Sequence, residues 1–338
     1  MPTTVHASNL EGQTNTAMAK TNVDISVIIV TWNAKKYIGD CLKSVQEQHT
    51  GLSMETIVVD NASTDGTPDL VRDEFPDVKL IENQKNLGFA KANNVGIRES
   101  TGRYLFLINP DVIVLPGCIK SLIAHLEHDT SIGLVGPRML DADRIVRRST
   151  MRFPTPWSVF CRALALDAIF QGSKTFGAYL MSDFKHDKTL DVDILNGWFW
   201  GTRRDALNRV GGLDEQLFMY GDDLDWSYRF HQAGYRRLYC ADAEAIHFGG
   251  GTTAKAPIYF YIERQRADIQ FWKKYHGRLA VTFYLLTVLI NESIRVLGHS
   301  IVYVFNRSAR PGEAYKVSRS WACIWWLLGI RSNETTTA

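Results

Sequence analysis

Apolar and polar positions alternate along the first half of the chain between short buried runs and amphipathic stretches. Ile25-Ser26-Val27-Ile28-Ile29-Val30 is apolar and β-branched, and reads as a buried strand ending at Thr31-Trp32-Asn33. Tyr37, Ile38, Cys41, Leu42 and Val45 follow at helical spacing, which predicts an amphipathic helix. A second strand, 56–59, runs into the polar turn Asp60-Asn61-Ala62-Ser63-Thr64-Asp65-Gly66. Thr67-Pro68 then opens another helix, a capping hydroxyl followed by proline. Strands near 78–81 and 104–108 bracket a helix around 90–98. Such alternation requires parallel strands with helical crossovers, so the first half is read as a doubly wound α/β sheet. Ligands bind these sheets at the carboxyl edge of the strands. That singles out Thr31, Asp60 and Asn109-Pro110-Asp111, an acidic edge.

Beyond this half the pattern loosens. The stretch 144–190 is irregular and aromatic, and carries Arg144, Arg147, Arg148 and Arg152. Regular signals return as a strand at 195–201, a short helix at 204–210, a helix at 223–232 and a strand at 237–240. After His247 comes Gly249-Gly250-Gly251, then helical patterns to the end. The apolar run from Leu279 to Ile290 is twelve residues long, short of the roughly twenty a spanning helix needs. Glu292 and Arg295 interrupt it before a second run at 301–305, and a third, Trp-rich run occupies 321–328. From Glu263 to Arg319 ten basic residues stand against four acidic ones. Tryptophan and basic residues on apolar helices suit a peripheral helix lying in the interface of an anionic membrane. The alternative is a helical subdomain packed on the core or at a dimer contact.

Composition bounds the rest. Of 338 residues 45% are hydrophobic and 22% charged, as in a globular protein. Lys plus Arg is 38 against 36 for Asp plus Glu, so no nucleic-acid partner is indicated. Five scattered cysteines form no CxxC pair, which points to a reducing compartment and away from structural zinc. Residues 1–22 are polar without an apolar h-region, and are read as a disordered tail with no secretory signal. The expected division is that tail, a catalytic domain at 23–275, and a helical extension at 276–338.

Five constellations carry candidate chemistry. Among the strand-end residues Thr31, Asn33, Asp60 and Asp65, capping explains Ser63 to Asp65, and Asp60 is left for a base or ribose. Asn109-Pro110-Asp111 places a carboxylate where a divalent cation on a diphosphate would sit, although an Asn-Pro turn alone has the same look. Asn86-Leu87-Gly88-Phe89 allows close backbone approach before a helix N-terminus. Gly211-Gly212-Leu213-Asp214-Glu215 precedes Tyr220-Gly221-Asp222-Asp223-Leu224-Asp225, and three carboxylates within four positions exceed what capping needs. Their mutual repulsion is expected to raise at least one pKa, as a general base requires. His247, before the glycine run, is either structural or a ligand.

Together and in order, these pieces resemble the family 2 inverting glycosyltransferases of GT-A fold, with the nearest look to bacterial rhamnosyltransferases of cell-surface polysaccharide synthesis. The similarity spans about 23–275. It implies a mixed, mainly parallel sheet flanked by helices, with a nucleotide-binding half at 23–140 and an acceptor half at 141–275. By the same resemblance Thr31, Asn33, Asp60, Asn86, Gly88 and Asn109 hold the nucleotide-sugar. Asp111, with His247, holds Mg2+ or Mn2+. Asp223 is the base, with Asp222 where the family usually has Glu. Trp198, Asp225, Arg147 and Arg148 are the acceptor candidates. The commoner metal motif is Asp-x-Asp, so Asn109 offers the ion one charge fewer. A membrane-facing extension implies a glycan or polyprenyl-diphosphate-linked acceptor on the cytoplasmic face of the cell membrane, met by the arginines of 144–152. The donor implied first is dTDP-rhamnose, then a UDP-hexose or UDP-hexosamine.

Rival readings fit less well. Sugar-nucleotide nucleotidyltransferases open with a Gly-rich loop after the first strand, and Thr31-Trp32-Asn33-Ala34 has no glycine. No G-x-G-x-x-G follows a strand, against a NAD-dependent dehydrogenase. The Gln-x-x-Arg-Trp motif of processive synthases is not found either, so addition of one or a few sugars is expected. A non-catalytic scaffold would keep the fold without needing Asp111 and Asp223.

Overall fold

Strand β1 (Ile25–Thr31) shows why the sheet is covered on both sides. Ile25, Val27 and Ile29 point into one core and Ile28 into the other. The computed structural model describes residues 23–170, 172–249 and 257–330. The expected tail at 1–22 and most of the glycine run after His247 lie outside these residues.

In chain order β1 is followed by α1 (Lys35–Gln46), β2 (Met54–Asp60), α2 (Thr67–Glu74), β3 (Lys79–Glu82), α3 (Phe89–Glu99), β4 (Tyr104–Ile108) and β5 (Val112–Val114). Then come α4 (Cys118–His128), β6 (Ile132–Leu140), β7 (Val146–Arg147), β8 (Thr150–Met151), α5 (Pro156–Ala163) and α6 (Leu166–Ile169). The remainder is β9 (Leu190–Asp191), β10 (Ile194–Leu195), β11 (Phe199–Arg203), α7 (Arg204–Val210), α8 (Asp222–Gln232), β12 (Arg236–His247), α9 (Pro257–Tyr275), α10 (Arg278–Phe305) and α11 (Arg310–Leu327).

The main sheet runs β3-β2-β1-β4-β11-β6-β12-β5, with β7 beside β6 and β9 beside β12. Strands β3, β2, β1 and β4 are parallel, β11 is antiparallel to both its neighbours, and β5 is antiparallel to β12. The sheet is therefore mixed. Helices α1, α2 and α4 cover one face, while α3, α7 and α8 cover the other. Strand order reverses between β1 and β4, so the crevice for a ligand opens at their carboxyl ends.

Three expectations shift. The strand placed at 195–201 is split, because Trp198 N–H turns back to the Asn196 carbonyl at 2.9 Å, and β11 begins only at Phe199. The strand placed at 237–240 extends to His247, which therefore stands at a strand end. The irregular stretch 144–190 holds β7, β8, α5 and α6.

The extension shares a core with the sheet domain. Leu224 of α8, Ile269 and Trp272 of α9, Tyr284 and Val288 of α10, and Cys323 of α11 form one buried cluster. Helix α10 runs unbroken through Glu292 and Arg295. The Glu292 carboxylate is buried and accepts from the Tyr261 hydroxyl, and Arg295 Nε donates to Asn291 Oδ1 at 2.9 Å. The charges that interrupt the apolar run in the sequence are held within one 28-residue helix. Among the described residues it is the one helix long and apolar enough to cross a membrane by length and composition, with mean hydropathy 1.5 in its apolar window. Its outer stripe of Leu279, Phe283, Leu286, Ile290, Ile294, Leu297 and Ile301 is exposed.

Candidate active site

The carboxyl ends of β1, β2 and β4 open into a cleft of about 630 Å³, lined by Trp32, Asn33, Asn61, Asn86, Gly88, Asn109, Asp111, Trp198, Tyr220, Asp222, Asp223 and His247 among others. That volume is within the range of small-molecule sites. Nine residues singled out in the sequence thus meet at one place: Asn33, Asn86, Gly88, Asn109, Asp111, Trp198, Asp222, Asp223 and His247. They come from segments more than two hundred residues apart, which the strand-order reversal gathers.

Thr31 and Asp60 stay beneath the cleft. They are register partners on β1 and β2, and Thr31 Oγ1 donates to Asp60 Oδ1 at 2.9 Å in a fully buried bond. The second carboxylate oxygen of Asp60 accepts from Ser63 N–H at 2.8 Å. Their neighbours Trp32 and Asn61 face the cleft instead. Asn61 Nδ2 donates to the Gly88 carbonyl at 3.2 Å, and its Oδ1 accepts from Leu87 N–H at 3.2 Å, which locks the 86–88 turn onto β2. Asn33, with φ of 53°, and Tyr220, with φ of 68°, hold left-handed backbone conformations at the cleft wall, a strain often stored where function needs a fixed geometry.

Gly88 joins the two halves of the site. Its φ is 84°, and a Cβ there would lie 2.5 Å from the Phe218 carbonyl oxygen. The next N–H, of Phe89, donates to that oxygen at 2.8 Å. The Asn94 amide grips both backbone groups of Leu213 at 2.9 Å. The sequence motifs around Asn86 and Gly211 therefore dock on one another, and this sets the position of α8.

On one wall, His247 Nε2 lies 3.2 Å from Asp111 Oδ1, with Trp198 stacked on the imidazole at 5.4 Å. The Asp111 carbonyl accepts from Phe248 N–H at 3.0 Å, so the end of β12 holds the Asp111 turn. Among the described residues no group of three or more His, Cys, Asp or Glu side chains forms a metal cluster. The pair nevertheless fits a divalent ion that takes its other ligands from phosphate and water.

Asp222 and Asp223, which line the same cleft, open α8. Gly221 supplies the left-handed cap, and negative charge suits this helix end. Asp222 is buried and its Oδ1 has no hydrogen-bond partner. Burial first, and then the Asp223 charge, pushes its carboxyl well above the ordinary range. Asp223 is part-exposed to the cleft. Burial raises its pKa too, opposed by the Leu224 N–H at 2.9 Å and by Arg264. Repulsion was the expected cause, and burial is the larger one.

Asp225, Arg147 and Arg148 are not brought to the cleft. Asp225 Oδ2 pairs with Arg229 at 2.8 Å, while its Oδ1 accepts from Lys274 and the Tyr275 hydroxyl, both at 2.7 Å. Lys274 also pairs with Asp214 at 2.6 Å. This buried network bolts α8 to α9. Arg147 is exposed and its Nε donates to Asp141 at 2.7 Å, and Arg148 is exposed beside it. Sequence reading missed Trp32, Asn61, Asn196 and Tyr220. Their position directly after strand ends, or next to a singled-out acid, was the available signal.

Residues 26–211, more than half of the chain, match Glycosyl transferase family 2. The chain belongs to this family. This glycosyltransferase is 28% identical over 248 residues to the N-acetylglucosaminyl-diphospho-decaprenol L-rhamnosyltransferase of Mycobacterium tuberculosis, covering 69% of this chain and 78% of that one. It is 25% identical to a low-salt glycan biosynthesis hexosyltransferase of Haloferax volcanii, over 66% and 67% of the two chains. In structure it is similar to a mannosyltransferase from Pyrobaculum calidifontis in complex with GDP-Man and Mn2+, with a TM-score of 0.53 at 19% identity, covering 90% and 88%. The glycosyltransferase thus has the mixed α/β GT-A fold, with a helical C-terminal region.

Proposed function

We propose that this glycosyltransferase moves a sugar, with inversion, from a nucleotide-diphosphate donor to a lipid-linked glycan acceptor in cell-surface polysaccharide synthesis. The observation that carries this reading is the meeting of two pairs in one cleft. The pair Asp111 and His247 lines it together with a first-turn carboxylate pair, Asp222 and Asp223. The residues 23–140 form the donor half in this reading and 141–275 the acceptor half. Thr31 and Asp60 act from below by fixing the strand ends and Asn61 by holding the 86–88 turn, while Asn33 and Asn86 present amides to base and ribose.

In the step itself the acceptor hydroxyl oxygen bonds to the anomeric carbon as the bond from that carbon to the diphosphate oxygen breaks. The electron pair leaves with the nucleoside diphosphate, and Asp223 takes the hydroxyl proton. Burial disfavours the charged form of Asp222, and with it a second negative charge beside Asp223. Asp111 and His247 would hold Mg2+ or Mn2+, which when bound neutralises charge on the diphosphate. Trp198, stacked on His247 in the cleft lining, is the acceptor-side aromatic in this reading.

Rhamnose from dTDP-rhamnose is the first donor, its sugar but not its nucleotide supported by the mycobacterial relative's name. A UDP-hexose or UDP-hexosamine is the second, for which the hexosyltransferase relative's name supports a hexose. The exposed stripe on α10 supports a place at the inner face of the cell membrane. A donor screen with and without Mn2+, on wild type and Asp223→Asn, tests the reaction. Donor binding retained with transfer lost is expected, and equal transfer by both proteins overturns the assignment. A non-catalytic scaffold would bind donor and transfer nothing in either protein.

A further inference from the structure

A second cavity, about 200 Å³, lies behind the first turn of α8, between α5, α9 and α10. Asp223 lines the cleft and the next residue, Leu224, lines this cavity, so one helical turn is the wall between them. Its size is below that of typical whole-ligand sites and suits a headgroup rather than a nucleotide-sugar.

Three arginines from three different helices line it: Arg162 of α5, Arg264 of α9 and Arg295 of α10. Arg162 stacks on Tyr179 at 4.7 Å, and Arg295 is oriented by Asn291. Arg264 and Arg295 are exposed to the cavity mouth. Two carboxylates share the lining: Asp268, which accepts from the Tyr284 hydroxyl at 3.3 Å and also feels the charges of Arg264 and Arg162, and Glu292, which accepts from the Tyr261 hydroxyl. Three cations therefore stand against two acids at a place of limited volume. Planar guanidiniums in this number suit the bidentate recognition of phosphate oxygens.

Exposed aromatic side chains stand beside the lining on α5. Trp157 and Phe160 of α5 flank the cavity-lining Ser158 and Val159, and are 48% and 38% exposed. Helix α10 carries its exposed apolar stripe on another side from the cavity-lining Tyr284, Thr287, Val288 and Asn291. An anion held by the arginines thus has apolar surface beside it for a hydrocarbon chain.

We propose that this cavity is the acceptor's diphosphate site, with Arg162, Arg264 and Arg295 as its ligands and the α5 aromatics as the first rest for the lipid chain. The inference rests on the glycosyl-transfer reading and names the acceptor's anionic subsite within it. It replaces the basic loop at 144–152, where Arg147 is paired with Asp141 and Arg152 lies 3.8 Å from Asp193. A diphosphate in the cavity would set the adjoining sugar over the first turn of α8, with its hydroxyl toward Asp223.

The test is calorimetric binding of farnesyl diphosphate and of inorganic pyrophosphate to the full chain, with nucleoside diphosphate saturating the donor cleft. Wild type, the double variant Arg162→Gln/Arg295→Gln, the lysine pair Arg162→Lys/Arg295→Lys and the exposed Lys120→Gln on α4 are compared. Farnesyl diphosphate is expected to bind wild type and Lys120→Gln equally, and the Gln pair at least tenfold more weakly. Partial recovery is expected in the Lys pair, and pyrophosphate should bind more weakly than the lipid form but with the same order of variants. In transfer assays the Gln pair should lose at least tenfold of the preference for an N-acetylglucosaminyl diphosphate lipid over the matching phosphate-free alkyl glycoside. Equal binding by wild type and the Gln pair, no binding by either, or an unchanged acceptor preference overturns the proposal. The binding arm does not depend on turnover. Absence of transfer to any acceptor with variant-sensitive diphosphate binding would count against the reaction, while variant-insensitive binding in an active enzyme counts against the cavity.

Discussion

His247 Nε2 stands 3.2 Å from Asp111 Oδ1, the two residues being brought together by the antiparallel pairing of β5 with the end of β12. The pair offers one carboxylate oxygen and one imidazole nitrogen to the cleft, while the nearby acids Asp242 and Glu244 are paired with His125 and Arg138. Asp111→Asn is therefore expected to lower nucleotide-sugar affinity at least about tenfold in Mn2+ and to remove the difference between Mn2+ and chelator. His247→Gln should weaken the same difference to a smaller degree. Calorimetry on each variant reads both effects. An Asp111→Asn protein with unchanged Mn2+ dependence would place the ion elsewhere.

The base should show in the pH dependence. Asp223 must be ionised to take a proton, and burial raises its pKa above the usual carboxylate range. Activity is lost as pH falls through that raised value, so the acidic limb of kcat should lie above the pH at which an ordinary aspartate titrates. Asp223→Asn should abolish the limb and cost about 10²- to 10⁴-fold in kcat. A limb that survives in Asp223→Asn would assign the titration to another group.

The sheet was legible in the chain and the long-range pairings were not. Apolar runs and helical spacing located β1, α1 and β4, Thr67-Pro68 located α2 although Gly66 rather than Thr67 is its cap, and the strand-end rule led to Asn33, Asp111 and the cleft itself. The local pattern could not show that β11 inserts antiparallel between β4 and β6, because that choice depends on contacts across about a hundred residues. Asp225 reads like its neighbours in the acidic run, yet its partners Lys274 and Tyr275 lie about fifty residues downstream. Trp32 and Asn61 bear no charge and so drew less notice than Thr31 and Asp60, whose side chains turned out to satisfy one another below the floor. The arginine cavity has the same origin: Arg162, Arg264 and Arg295 share no motif and meet only through helix packing.

Asp222 is expected to trade stability for function. Its folded pKa is raised above the unfolded value, so the folded state holds the proton more tightly and stability falls as pH rises between the two values. At neutral pH the buried carboxyl is a net cost, of about 1.4 kcal/mol for each tenfold by which folding tightens its hold on the proton. Asp222→Asn should therefore raise Tm at pH 7, with a smaller gain at pH 4, while transfer falls. Thermal unfolding at the two pH values checks the sign. A lower Tm at pH 7 would mean that the carboxylate is stabilised there by a group on the far side of the cleft.

Asp225 should behave in the opposite way. It is buried and satisfied by Arg229, Lys274 and Tyr275, and removing one member of such a network leaves buried charge without a partner. Asp225→Ala is expected to cost about 3–5 kcal/mol of stability, measured by urea unfolding, with kcat per folded molecule changed far less than in Asp223→Asn. Unchanged stability with a selective rise in acceptor KM would restore Asp225 to the acceptor site.

The outer stripe of α10 gives the last test. Leu286, Ile290, Leu297 and Ile301 repeat every three to seven residues and are exposed, while Tyr284, Val288 and Glu292 hold the inner side of the same helix against the core. A helix anchored by one face is free to place the other in a membrane interface, where each large apolar side chain contributes about 1.5–3 kcal/mol. Changing the four stripe residues to Ser should leave folding intact, since none of them is buried, and should abolish flotation with anionic vesicles. High salt separates the two attractions. Binding that depends only on Lys and Arg near α10 and α11 vanishes as charges are screened, whereas binding through the stripe persists in wild type. Flotation of the Ser variant equal to wild type would show that the stripe faces another protein surface or water, and the lipid-side entry to the arginine cavity would then lose its support.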